Sequence, residues 1–500
     1  MSDLPDSAFN LVPADTRRQG FYPEIEDSGA GTFQSRHTAL LIGQKLAAGT
    51  ATAGDVVTIP GDGRDAVTLF GRGSQLALAV AAFRQNNRTT ELRCLPLADN
   101  GAGTAATLDV TFGGTATEAG VIAFYVDGVR VQIPVAVGDD GSALAAAAET
   151  ALAAALDLPV TAAATLAVLA VTHRHKGLIG NETRLQVNLR GSLGGEKLPA
   201  GVTVTIPGDG YLAGGAANPD IAGAVAGMGD IRFHYIGYPW TDTASMDGIE
   251  AELTRRWAPE VRLRGQAFNG FIGTPGARQS FGQARNGKFN STIRSYAAPG
   301  PAWMKSARYL AQCAFSLANH PARPLNSLPL IGEIAEPESA RPLFTDDQTD
   351  LYAGIATDYV VADGTVRIGR AISNYQKNAS GVADNAWLDI TTPATLTRIC
   401  EELEFLVTSE FIDRRCILVD DDEVVAPGLP VCSPRSIRAA LIAHYEVLQR
   451  QGIVEDLAQF KKGLIVARSD GDPARVNILY TPDLANPLYI VAVQVAFALN

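Results

Sequence analysis

Apolar positions change their spacing several times along this chain, and each change marks a predicted element. An unbroken apolar run over 38–43 is followed by a Gly-rich connection. The stretch 74–87 then places Leu76, Val80 and Phe83 on one helical side, and a second strand-like run covers 91–97. Strand, helix and strand in so short a span predict a βαβ unit and a parallel sheet. The same rhythm resumes after residue 208, with helices over 220–228, 245–257 and 302–318 among strands over 231–237, 266–272 and 291–296.

Between these two halves the texture changes to short strands over 107–112, 121–126, 129–137, 166–173 and 183–189, with Asp127-Gly128 at a hairpin position. One Ala-rich helix over 142–156, striped by Leu144, Ala148, Leu152 and Leu156, interrupts them. We read a β-rich domain, 99–207, inserted into an α/β domain formed by 37–98 and 208–383. Beyond a Pro-rich crossing at 320–342, a hairpin pairs 356–361 with 366–372 across Asp363-Gly364. A C-terminal assembly unit, 384–500, then holds an amphipathic helix over 393–410, a strand over 416–419, a helix over 437–450 opened by Ser433 and Pro434, and three strands. The expected fold class is therefore multi-domain, mixed α/β and α+β. Residues 1–36, interrupted by Pro5, Pro13 and Pro23, read as an extended N-terminal arm.

The last of those strands, LYIVAVQVAFALN over 488–500, carries no charged side chain. Fully extended it would reach roughly 40 Å at about 3.3 Å per residue. A strand of that length without a gatekeeping charge is an aggregation hazard unless its edges and faces are covered. Neighbouring copies of the same chain are the cover we expect.

Composition narrows the function classes. A length of 500 residues exceeds one ordinary core and predicts three or four units. A net charge of −12 weighs against a nucleic-acid surface, which needs clustered Lys and Arg. The five cysteines form no CxxC pair, so neither a zinc ribbon nor a thioredoxin-like site is indicated, and a reducing compartment is expected. The N-terminus lacks the basic start and apolar core of a signal peptide. Pro159 and Pro487 break the longest uncharged runs before they reach the roughly 18–20 apolar residues of a membrane helix. The chain is expected to be cytoplasmic where it is made, with no direct membrane insertion.

Three fragments suggest chemistry. Asp27-Ser28-Gly29 looks like the aspartate signature of subtilisin-type serine hydrolases, and Thr243-Ala244-Ser245-Met246 faintly echoes their nucleophile motif. The general base is missing: none of the histidines is followed by Gly, as that family's base is, so the fragments read as a turn and a helix start. Gly282 to Lys288 matches a phosphate loop until Phe289 replaces the Ser or Thr that would hold magnesium, leaving a basic surface loop with Arg278, Arg285, Lys288 and Arg294. His173 and His175 could share a metal from one strand face, yet no acid or cysteine sits at companion spacing, so a solvent-facing pair is expected. The acidic run Asp420 to Glu423 reads as a solvated turn. No catalytic, cofactor or metal residue is assigned.

The extended arm at one end and the uncovered strand at the other suit strand addition between subunits. Head-to-tail linkage by a rotation that does not close builds a helix. The residues expected to link subunits are Phe21, Tyr22 and Ile25 in the arm, and Leu488, Tyr489, Ile490, Val491, Val493, Val495 and Phe497 in the terminal strand.

Several segments carry a resemblance: HPARPLNSLPL over 320–330, RAISNYQ over 370–376 with Gly381, Asp384 and Trp387 to Ile390, and Arg174 to Gly177 with Gly180-Asn181. Across nearly the whole chain the sequence resembles the tail sheath proteins of contractile-tailed bacteriophages of the Mu-like group. The resemblance implies a helical sleeve of stacked hexameric rings around a tail tube, contracting to drive the tube through the host envelope. It also implies baseplate and tail terminator proteins as partners, a place in the virion tail after assembly in the host cytoplasm, and no cofactor. The family's α/β domain is subtilisin-like but catalytically empty. Its arm and C-terminal strand, here about 12–30 and 487–500, are exchanged between subunits to complete a shared sheet beside a strand pair of a third. Tube contact would fall to the C-terminal unit, with Arg435 and Arg438 as candidates. The alternatives are a subtilisin-like hydrolase, or the sheath of a phage-derived bacteriocin or secretion machine.

Overall fold

The structure, a computed structural model, describes residues 36–423 and 428–496. Its largest layer is an eight-stranded sheet. In spatial order Ile355–Val360, Asn290–Ser295, Gln266–Ile272, Tyr235–Gly237, Thr38–Gln44 and Glu91–Leu97 run parallel. Antiparallel edge strands, Val366–Arg370 and Val57–Ile59, close the two sides. Thr38–Gln44 is buried along its whole length, which is why the sequence there is a continuous apolar run without alternation. The crossover helix Gln75–Asn86 starts where Ser74 accepts a hydrogen bond from the Ala77 amide. It packs against the long Ala302–Asn319 helix, which lies so close to Gln266–Ile272 that a Cβ on Gly270 would sit 2.5 Å from the Ala302 carbonyl oxygen.

The inserted region folds around its own apolar cluster. A four-stranded sheet and a three-stranded sheet enclose the Gly141–Ala154 helix, with Leu144, Ala148 and Leu152 buried. Leu156 lies beyond the helix end and is 51% exposed, so the expected stripe is one residue too long. Asp127 (φ 51°) and Gly128 (φ 78°) both take left-handed backbone, as a primed two-residue hairpin turn requires. Leu166, expected to begin a strand, instead turns a hairpin (φ 53°) between Val160–Thr165 and Val168–Lys176. The expected strand over 231–237 shrinks to Tyr235–Gly237, because its neighbour Thr38–Gln44 offers ladder partners only from that point.

A third cluster gathers Ile399, Ile437, Leu441, Tyr445, Leu448 and Phe460. The Thr391–Val407 helix joins it to the first: Ala394 belongs to the sheet's core and Ile399 to the C-terminal one. One rigid rod thus connects both cores. Apolar spacing does not signal the Pro275–Gln283 and Phe344–Tyr352 helices, whose inward faces are partly charged.

Candidate functional site

The terminal segment has no strand partner among the described residues. After the short pairing of Asp483–Leu484 with Val454–Glu455 and a last backbone bond from the Ala485 amide to the Ile453 carbonyl (3.0 Å), no ladder covers 488–496. Cover was expected from neighbouring copies; a strand forms only where a second one completes its hydrogen bonds, and no described residue pairs with 488–496 in the single subunit. Leu488, Ile490, Val491, Val493 and Val495 are 70–82% exposed. Tyr489 is the exception, half-buried with the Arg370 guanidinium 4.6 Å from its ring centre. Phe21, Tyr22, Ile25 and Phe497 lie outside the described residues.

A second open surface faces solvent in the same unit. Ile465–Arg468 and Val476–Leu479 form an isolated two-stranded hairpin, with Ile465, Ile478 and Leu479 exposed. Such a ribbon offers both unpaired edges and apolar side chains.

The two arginines proposed for tube contact part company. Arg438 turns inward and donates to the Lys461 and Leu464 carbonyls, closing the end of the Leu457–Gly463 helix. Arg435 remains exposed.

The basic surface loop expected at 278–294 is corrected. Arg278 and Arg294 are buried and ion-paired: Arg278 forks onto Asp350 at 2.9 and 3.0 Å, and Arg294 reaches Asp347, Asp350 and Asp358. Lys305 adds a 2.6 Å pair to Asp358. The Gly282 fragment begins in the last turn of the Pro275–Gln283 helix and does not follow a strand, so its amides form no phosphate cradle. Acids at Asp347 and Asp350, one helical turn apart, were the available signal for this network. Local spacing could not reveal that their partners lie over 50 residues upstream.

His173 and His175 are also corrected, since both are buried. The His175 ring joins Asp99 (2.8 Å) to the Gln75 amide (3.0 Å), fastening the insert to the start of the Gln75–Asn86 helix. Burial pulls the His173 pKa down to about 4. The described residues bring together one three-ligand cluster, His37, His234 and Glu401. The imidazoles stack 4.4 Å apart at 12°, so their in-plane lone pairs run side by side and cannot converge on one ion. The His234 Nδ1 accepts from the Thr38 amide, which puts its proton on Nε2, facing Glu401. With Arg232 at 2.6 Å from the same carboxylate, the cluster is a contact between the sheet and the Thr391–Val407 helix.

Ser245 is 3% exposed, and its amide is capped by Asp242. The six histidines bond Tyr235, Asp99, Gln75, Thr38, Glu401, Gln451, Glu402 and one another, and none bonds Ser245.

Glu182, from the insert, caps the Ala302–Asn319 helix by accepting from the Ala302 and Trp303 amides. Burial, outweighing those bonds, raises its pKa to about 8, and burial likewise raises Asp127 to about 7. An acid with a raised folded-state pKa stabilises the fold fully below its unfolded value and loses that contribution as pH rises through the folded one. Stability should therefore fall between pH 5 and 8. Glu182→Gln, which keeps both accepted bonds without the ionisation, should flatten that decline in thermal melts, whereas an unchanged slope would remove Glu182 as its source.

The profile described as phage tail sheath protein central domain matches residues 214–374, and that of the phage tail sheath C-terminal domain matches 382–498. The Mu-like prophage FluMu tail sheath protein of Haemophilus influenzae is 35% identical over 495 residues, covering 98% of this chain and 99% of that protein. Among solved structures, the anti-feeding prophage baseplate in the contracted state superposes with a TM-score of 0.50 at 10% identity, covering 98% of this chain and 100% of that one. The sheath tail protein of Listeria innocua gives 0.49 at 12%, covering 91% and 93%. At such identities the likeness concerns the fold alone.

Proposed function

The chain belongs to the phage tail sheath family, and from that premise we propose how it builds its sleeve. It is a structural subunit of a contractile tail sheath, not an enzyme. In our reading, subunits stack as six-membered rings around a tail tube, and contraction drives the tube through the host envelope. The observation that carries the assembly mode is the uncharged segment 488–496, solvent-exposed apart from Tyr489 and without a strand partner among the described residues. It adds as a strand to the Ile465–Arg468/Val476–Leu479 hairpin of a neighbouring copy, beside the N-terminal arm of another. The main sheet, with its subtilisin-like arrangement, serves as a rigid body and not as a catalytic platform. Arg435, on the exposed start of the Pro434–Arg450 helix, is the remaining tube-facing candidate. Baseplate and terminator proteins bound the sleeve at its ends, and assembly takes place in the host cytoplasm.

The test is direct. The purified chain, concentrated alone, should form hollow sleeves in negative-stain electron micrographs. Only closed compact oligomers or monomers at every concentration would overturn the helical reading.

A further inference from the structure

Among the described residues no backbone hydrogen bond tethers the terminal segment after Ala485, yet one side chain within it is not free. Tyr489 sits half-buried between neighbours that are 70% (Leu488) and 77% (Ile490) exposed. Its ring faces the guanidinium of Arg370, at the end of the edge strand Val366–Arg370. Arg370 is itself held by Asp389 at 3.2 Å. The Tyr489 hydroxyl is buried without a hydrogen-bond partner, so the packed ring and the cation supply the attraction. Beside the contact, a crevice of about 290 Å³ is walled by Asn385, Asp389 and Thr392 on one side and Asn486 and Pro487 on the other.

We infer that Tyr489 is a latch that roots the linking strand on the edge of the main sheet, through Arg370, and so fixes where the strand leaves the subunit. This rests on the reading of 488–500 as a linking strand. Without the ring contact, the root retreats to Ala485 in the C-terminal unit. Four further residues then become free tether, roughly 13 Å at about 3.3 Å each. A longer, looser tether lowers the effective concentration at which the strand meets its acceptor. The latch also ties a neighbour's pull on the strand to the main sheet directly, bypassing the C-terminal unit.

The experiment compares the full chain with Tyr489→Phe, Tyr489→Ala and a chain ending at Pro487, reading the concentration at which sleeves form by sedimentation and the unfolding midpoint of the dispersed subunit. Tyr489→Phe keeps the ring and loses only an unpartnered hydroxyl, so it should assemble at the parental concentration or below. Tyr489→Ala should need roughly threefold more protein, since effective concentration falls at about the −3/2 power of tether length, with a midpoint lowered by no more than about 2 °C. Parental assembly by Tyr489→Ala alongside failure of the truncated chain would refute the latch and leave strand linkage standing. Normal assembly of the truncated chain would remove both. Failure of Tyr489→Phe to the same degree as Tyr489→Ala would overturn the ring-based contact.

Discussion

A chain ending at Pro487 should remain a folded, soluble subunit that builds no sleeves. The described side chains removed, 488–496, belong to none of the three apolar clusters, and apart from Tyr489 they are exposed. Their loss should therefore move the unfolding midpoint by no more than about 2 °C, less than a 1 kcal/mol change produces in a domain of moderate size. Removing a run of exposed Ile and Val should also make the dispersed subunit less prone to aggregate. Intersubunit linkage, by contrast, loses a whole strand of main-chain hydrogen bonds, which no rim contact replaces. Sedimentation and electron microscopy separate the two effects, and sleeves of ordinary length from the shortened chain would end the shared-strand account.

Asp358→Ala should be the most damaging single substitution in the main sheet, costing about 3–5 kcal/mol. Asp358 is 3% exposed and ion-pairs with two cations, Arg294 at 2.9 Å and Lys305 at 2.6 Å. Burial would raise its pKa, but Lys305 and Arg294 hold it below the usual carboxylate value. Burial would likewise pull Lys305 down, and Asp358, with smaller help from Glu333 and Glu336, outweighs that to hold it above its ordinary value. Deleting the acid leaves Lys305 buried and charged with no direct partner, so it must ionise at a cost or give up its proton. Arg294 keeps Asp347 and Asp350. Asp347→Ala is the control: that side chain is 37% exposed, and its loss should cost no more than about 1 kcal/mol. Denaturant unfolding followed through the buried Trp240 and Trp303 reports on the same core. Equal effects of the two substitutions would show that the buried cations do not depend on Asp358. A depressed folded-state pKa also gives the pH sign. Asp358's contribution is complete above its unfolded value near 3.9 and disappears as pH falls through the folded one.

Where local signals sufficed, the sequence was legible. Glu91–Leu97 and Gln266–Ile272 match the expected strands residue for residue, and the Gln75–Asn86 and Ala302–Asn319 helices match within one or two positions, because each is specified by its own apolar spacing, with Ser74 capping the first helix locally. The Asp127-Gly128 turn follows from which residues tolerate left-handed backbone. The failures share a cause as well. Arg278, Arg294, His173 and His175 carry the polarity of surface residues, and spacing assigned them to the surface. Arg278, Arg294 and His175 are buried because an acid or an amide remote in sequence meets them in the fold, as Asp350 meets Arg278 and Asp99 meets His175, whereas the His173 ring bonds only the backbone of His175.

The terminal run divides the two kinds of information most sharply. Sequence alone determined that 488–500 is apolar, uncharged and without a reason to be in water, and family resemblance supplied its use between subunits. Only the tertiary structure decided that no described residue pairs with 488–496, that an open hairpin stands in the same unit, and that Tyr489, alone among the described residues of the segment, is held back by Arg370. Side-chain character is written residue by residue. A strand's partner is not, because pairing is a property of two segments, and no second one stands beside 488–496 among the described residues.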